Sequence, residues 1–164
     1  MNPRTKRTLI LIAVLVILVT AVILWAKTPR TFDQAMGGGF DRTRVDQVHA
    51  FVPTVRGGDE THEVILSPKD PAYEELWALL DSQEYYPVME RVDGQQMQLE
   101  HYAFLAFRIP EEEGWSSWPV DIPGSRYIQF LGGSGNHHFS PSGGLEFQQD
   151  VIDLLLAQPT EDVS

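Results

Sequence analysis

Two tryptophans, Trp115 and Trp118, are the side chains in this sequence best placed to hold a ligand. They bracket Ser116 and Ser117 and stand beside Pro119, Asp121 and Pro123. Indole rings on such a loop can form a platform for a sugar, a peptide or a partner protein. The alternative use of a loop tryptophan is to fold back and plug a sheet edge or the core.

Histidine is the next source of chemistry, at His49, His62, His101, His137 and His138. A zinc site needs about three such ligands with a carboxylate, converging on one point. His137 and His138 are adjacent, so in an extended backbone they point opposite ways. No H-x-H or HExxH pattern occurs, and His49 facing His62 across a hairpin supplies only two ligands. No metal site is expected. The glycine-rich run from Gly132 to Asn136 fits neither a phosphate loop nor a nucleophile elbow. His138 occupies the place of the third glycine of GxGxxG, and no Gly-Lys-Ser/Thr follows. Ser134 lacks the second glycine of G-x-S-x-G because position 136 is Asn, and Ser142 lacks the first because position 140 is Ser. The 23 acidic residues include no D-x-[DN]-x-[DN]-G calcium loop, and no pair is singled out at glycosidase spacing. Glu111, Glu112 and Glu113 read as a solvated acidic cap on a loop. No catalytic residue and no cofactor is assigned. The candidate ligand or partner surface is Trp115, Trp118, His137 and His138.

With no cysteine, the chain has no disulfide framework, thiol catalysis, Cys-ligated zinc or lipidated cysteine. Charge is unevenly spread. Four basic residues and no acid lie up to Lys27, then eight basic against 23 acidic, so the net −11 divides into +4 and −15. So acidic a body repels phosphate backbones, which excludes nucleic acid as a partner, and it should not cling to anionic lipid headgroups.

These groups must be carried by elements that the hydropathy pattern lays out. Residues 8–26 contain no charge, glycine or proline and are bounded by Arg7 and Lys27. In a helix they reach roughly 28 Å, close to a bilayer's hydrocarbon thickness. The run exceeds a secretory h-region, and Leu24 spoils a small-x-small cleavage site at Ala26, so it reads as an uncleaved signal anchor. The excess of Arg4, Lys6 and Arg7 over Lys27 and Arg30 makes residues 1–7 a cytoplasmic basic tail and puts the rest outside. Neither Asn2 nor Asn136 begins a glycosylation sequon, in keeping with a bacterial plasma-membrane protein. Pro29 and Gly37-Gly38-Gly39 make 27–43 a flexible stalk, the folded domain is expected over 44–158, and 159–164 form a disordered tail.

Within the domain, 44–52 and 62–66 read as strands of a hairpin about Gly57-Gly58-Asp59. Pro68 and Pro71 punctuate a helix to Ser82, with Tyr73, Leu76, Trp77 and Leu80 on one stripe. Residues 86–92 and 95–99 flank Asp93-Gly94, a hairpin signal, and the second arm extends through 101–109. That stretch is apolar on both faces, as in a central strand covered twice. A long loop (114–125), a strand (126–131), an irregular glycine-rich region (132–144) and a closing helix (145–158) follow. The fold class is α+β: a single transmembrane helix, then a mostly antiparallel sheet of four to six strands with two amphipathic helices on one face. The function expected is a non-enzymatic, membrane-tethered extracytoplasmic module, held in the bilayer by 8–26, that binds a protein or an envelope polymer. The alternative is a cell-envelope hydrolase using carboxylates and histidines near the 132–144 loop. A third is a subunit of a membrane complex docking through the anchor, which lacks Gly-x-x-x-Gly.

Overall fold

The computed structural model describes residues 3–53, 61–88, 97–132 and 137–160. Helix α1 (Pro3–Lys27) is long and apolar enough to cross a membrane, and none of its 7–25 span is buried against the rest of the chain. Its C-terminal end is capped by the Thr28 hydroxyl, which donates to the Leu24 carbonyl at 2.7 Å.

The chain enters the domain almost at once. Arg30 exchanges both backbone hydrogen bonds with Tyr85, at 3.0 and 2.9 Å, and a short helix α2 (Phe32–Met36) begins two residues later. Thr31 caps α2 through a reciprocal box with Gln34. Phe32, Ala35 and Met36 are at most 2% exposed. The stalk expected over 27–43 is therefore corrected: the core begins at Phe32, because three apolar side chains at i, i+3 and i+4 gain more by burial than a tether gains by freedom. Gly37 (φ +93°) and Gly39 (φ +102°) let the chain reverse into a single 3₁₀ turn (Arg42–Arg44) that leads to the sheet.

Among the described residues, seven strands form one antiparallel sheet: β1 (Gln47–Pro53), β2 (Thr61–Leu66), β3 (Tyr85–Pro87), β4 (Ala103–Glu111), β5 (Gly114–Ile122), β6 (Ile128–Phe130) and β7 (His137–Pro141). Their order is β2-β1-β4-β5-β6-β7-β3. The architecture is α+β as expected, with more strands than the four to six anticipated. Helix α3 (Pro71–Asp81) joins β2 to the opposite edge of the sheet, and α4 (Gly144–Leu156) follows β7 and packs beside α3. Val48, Ala50, Leu105, Phe107, Val120, Ile122, Phe130 and Phe139 alternate along their strands onto the face that receives Leu76, Trp77, Leu80, Val151 and Leu155 of the helices.

Three expectations change. Residues 114–122 are a strand, not a loop. Pro119 is tolerated inside it because its carbonyl accepts from Leu131 N–H (2.9 Å) just beyond the point where pairing to β6 stops, at Val120–Phe130. Its missing N–H would face that same side, past the last β5–β6 register pair, so one bond and not a ladder is lost. The acidic run stays an exposed cap, as expected, and makes the tight turn of the β4–β5 hairpin: Glu111 pairs with Gly114, whose φ is +95°. Tyr85–Pro87 pairs with β7, while 97–99 are irregular; the Asp93-Gly94 turn lies outside the described residues, as does the Gly57-Gly58-Asp59 turn. Residues 137–141, expected to be irregular, form β7.

Candidate functional site

The tryptophan pair does not make a platform. In a strand of period two, positions 115 and 118 lie on opposite faces. Trp115 is exposed, while Trp118 faces the helices and meets Phe40 edge-on at a centroid distance of 5.7 Å. Gly39 and Gly132 lie against the Trp118 ring, and a Cβ at Gly132 would stand 2.6 Å from Cε3. Trp118 is thus a plug, and Gly132 is glycine because an indole occupies the space of its side chain. His137 and His138 diverge likewise along β7: His137 shares the core side with its partner Phe130, and His138 lies on the other side opposite Gln129. The 132–144 region consequently does not bring both imidazoles onto one face.

The open face of the sheet gathers what the sequence scattered. One register row crosses six strands: Glu63, Phe51, Phe104, Asp121, Gln129, His138. A second row beside it holds Ile65, His49, Ala106 and Pro119. Phe51 and Phe104 meet at 6.3 Å between ring centroids, and Ala106 is 8% exposed although it stands outside the core that the described helices cover. His49 Nε2 is 3.2 Å from Gln47 Oε1 on the same strand and face. The signal for this surface is in 101–109, whose two apolar faces predict a strand covered on both sides. One of them is covered by the helices, and the other carries Phe104 and Ala106 outward.

The row is electrostatically asymmetric. Half-burial pushes the Asp121 carboxyl above the ordinary aspartate range, and the imidazole of His138 partly counters this. Asp121 and His138 are two strands apart, roughly 10 Å along the hydrogen-bonding direction, and no hydrogen bond joins them among the described residues. This spacing does not build an acid–base dyad. It places a desolvated carboxyl, with no donor among the described residues, at the border between the aromatic centre and the polar end. Because the folded-state value is raised, the ionised form costs stability above it, and the cost fades as pH falls through that value. Asp121→Asn is accordingly expected to raise the thermal midpoint at neutral pH by a few degrees, about the effect of ~1 kcal/mol, with a smaller gain in acid. Melting curves of both chains in detergent at the two pH values check this.

Among the described residues, no group of three or more His, Asp or Glu is arranged to hold a metal ion. The other clefts lie elsewhere, at the foot of α1, beside Trp118 and between α3 and α4. No protein-family model, curated protein or solved structure matches the chain.

Proposed function

We propose that the chain is a single-pass, membrane-anchored interaction module, with its N-terminus in the cytoplasm and its domain outside, whose open sheet face receives a protein partner. The observation that carries this reading is the Phe51–Phe104 centre, on a face that no described element covers, with Glu63 at one end and Asp121, Gln129 and His138 at the other. An aromatic centre within a polar rim is the anatomy of a protein interface. A broad sheet surface suits a macromolecule better than a small ligand, which favours a concave pocket. The basic tail of Arg4, Lys6 and Arg7 supports the orientation.

The test is photo-crosslinking in native membranes with a photoreactive residue at Phe104, at Phe51 or, as control, at Glu75 on the exposed side of α3. Adducts of one size from the first two positions and none from the third are expected. Equal labelling at all three would remove the proposal. Protease added to intact cells should meanwhile strip the domain; a protected domain contradicts the orientation.

A further inference from the structure

We infer that the foot of the anchor is a binding site for an anionic phospholipid headgroup, with Arg30 as its cation. The inference rests on the reading that α1 lies in the bilayer. The apolar span ends at Trp25, which is 54% exposed, and an aromatic residue at that position sits at headgroup depth. Arg30 follows five residues later. Its backbone is fixed to the sheet edge by the two hydrogen bonds with Tyr85, so its guanidinium is delivered to one place rather than left to search. That guanidinium lies 4.7 Å from the Trp25 ring centroid and 5.7 Å from that of Phe139.

Among the described residues Arg30 has no anionic partner. The ion pairs among the described residues use Arg42 with Asp81 and Arg44 with Glu111, and none involves Arg30. Stacked on two rings, the guanidinium keeps its in-plane N–H donors for a phosphate, which it can grip in bidentate fashion. A cleft of about 170 Å³ opens beside it, walled by Trp25, Phe139, His137 and His138, with no carboxylate among the described residues that line it. A second, of about 570 Å³, also touches Trp25 and Arg30 but carries Asp33 and Gln34, so the first is the one fit for a phosphodiester. The strongly acidic body was expected to shun anionic lipid. Arg30 stands at the end of the domain that the anchor holds against the headgroups, five residues past Trp25.

The test uses the full chain in nanodiscs of phosphatidylcholine with a minority of phosphatidylglycerol, counting retained lipids by native mass spectrometry. Wild type should retain phosphatidylglycerol about fivefold over its share of the disc, the equivalent of about 1 kcal/mol for one cation at an anionic surface. Arg30→Gln should lose the preference, Arg30→Lys should recover part of it, and Arg126→Gln, a cation stacked on Tyr127 elsewhere, should keep it. Retention by Arg30→Gln overturns the inference. So does loss of the wild-type preference on adding inorganic phosphate, which would mark a site for the free ion. A wild-type chain that never enters the disc defeats the anchor reading and this site with it, whereas entry without lipid preference defeats this site alone.

Discussion

Phe32→Ala is expected to lower the stability of the domain by ~3–5 kcal/mol, the range for deleting a fully buried phenylalanine, although the residue lies just five positions after the anchor helix. Phe32 is 1% exposed and its ring meets five others: Phe107 at 5.3 Å, Phe130 at 5.5 Å, Trp77 at 5.6 Å, Tyr85 at 5.9 Å and Phe40 at 6.1 Å. Those partners belong to α3, β3, β4, β6 and the segment before the 3₁₀ turn, so a single side chain ties four separate elements to the chain leaving the membrane. Edge-on and tilted ring packing adds to the area term. In the full chain in detergent, the thermal midpoint should fall by roughly 10–20 °C, followed through tryptophan fluorescence because Trp77 reports from the same cluster. Phe32→Leu, which leaves less void, should recover much of that. Were the segment a tether, Phe32→Ala would leave the midpoint where it was.

The same residue shows where the sequence could and could not be read. The stripe of Tyr73, Leu76, Trp77 and Leu80 predicted helix α3, and all four are buried. Phe147, Val151, Leu154 and Leu155 did the same for α4, where all but the half-buried Leu154 are buried. Both helices repeat a local period over three turns or more, which a window of residues can detect. Phe32, Ala35 and Met36 carry the same period for only one turn, and Pro29 and three glycines beside them speak for disorder, so the local evidence favoured the wrong answer. Strand β3 was hidden for another reason. Tyr85–Pro87 is three residues long and its partner in β7 lies more than fifty residues away, so nothing local encodes the pairing. In β5, the presence of Pro119 obscured a nine-residue strand, because whether a proline is tolerated depends on which neighbour its nitrogen faces. The candidate surface suffered from a related gap. Alternation identifies the two faces of a strand but not which one the helices will take, so Trp115 with Trp118 looked like a pair, and Phe51 with Phe104 did not.

Gln148→Leu is expected to be nearly as damaging, through polarity rather than volume. Gln148 lies on α4 with no exposed surface, and its amide spans the turn between β5 and β6. Its Nε2 donates to the Ser125 carbonyl at 2.6 Å, and its Oε1 accepts from Gly124 N–H at 3.1 Å. Gly124 is at φ +64° with Leu99 and the His101 carbonyl against it, so the turn cannot easily rotate to find other partners. Leucine fills the space and strands one donor and one acceptor, at about 1–3 kcal/mol for each unpaired group, so ~2–5 kcal/mol in all. Gln148→Glu separates this from a simple packing defect. Its carboxylate still accepts from Gly124 but faces the Ser125 carbonyl, and burial raises its folded-state pKa. Its deficit should be greatest above that pKa and shrink as pH falls through it, when the protonated acid can donate to Ser125 again, whereas the leucine variant has no such titration of its own. Gln149→Leu, one residue along, whose side chain bonds Asp153 alone among the described residues, should stay within about 0.5 kcal/mol of wild type. Denaturant titrations at neutral and acid pH read all three. The turn also sets the register by which β6 lays Gln129 between Asp121 and His138. A chain in which Gln148→Leu loses the Phe104 crosslink while Gln149→Leu keeps it would tie the open face to this one amide beneath the sheet.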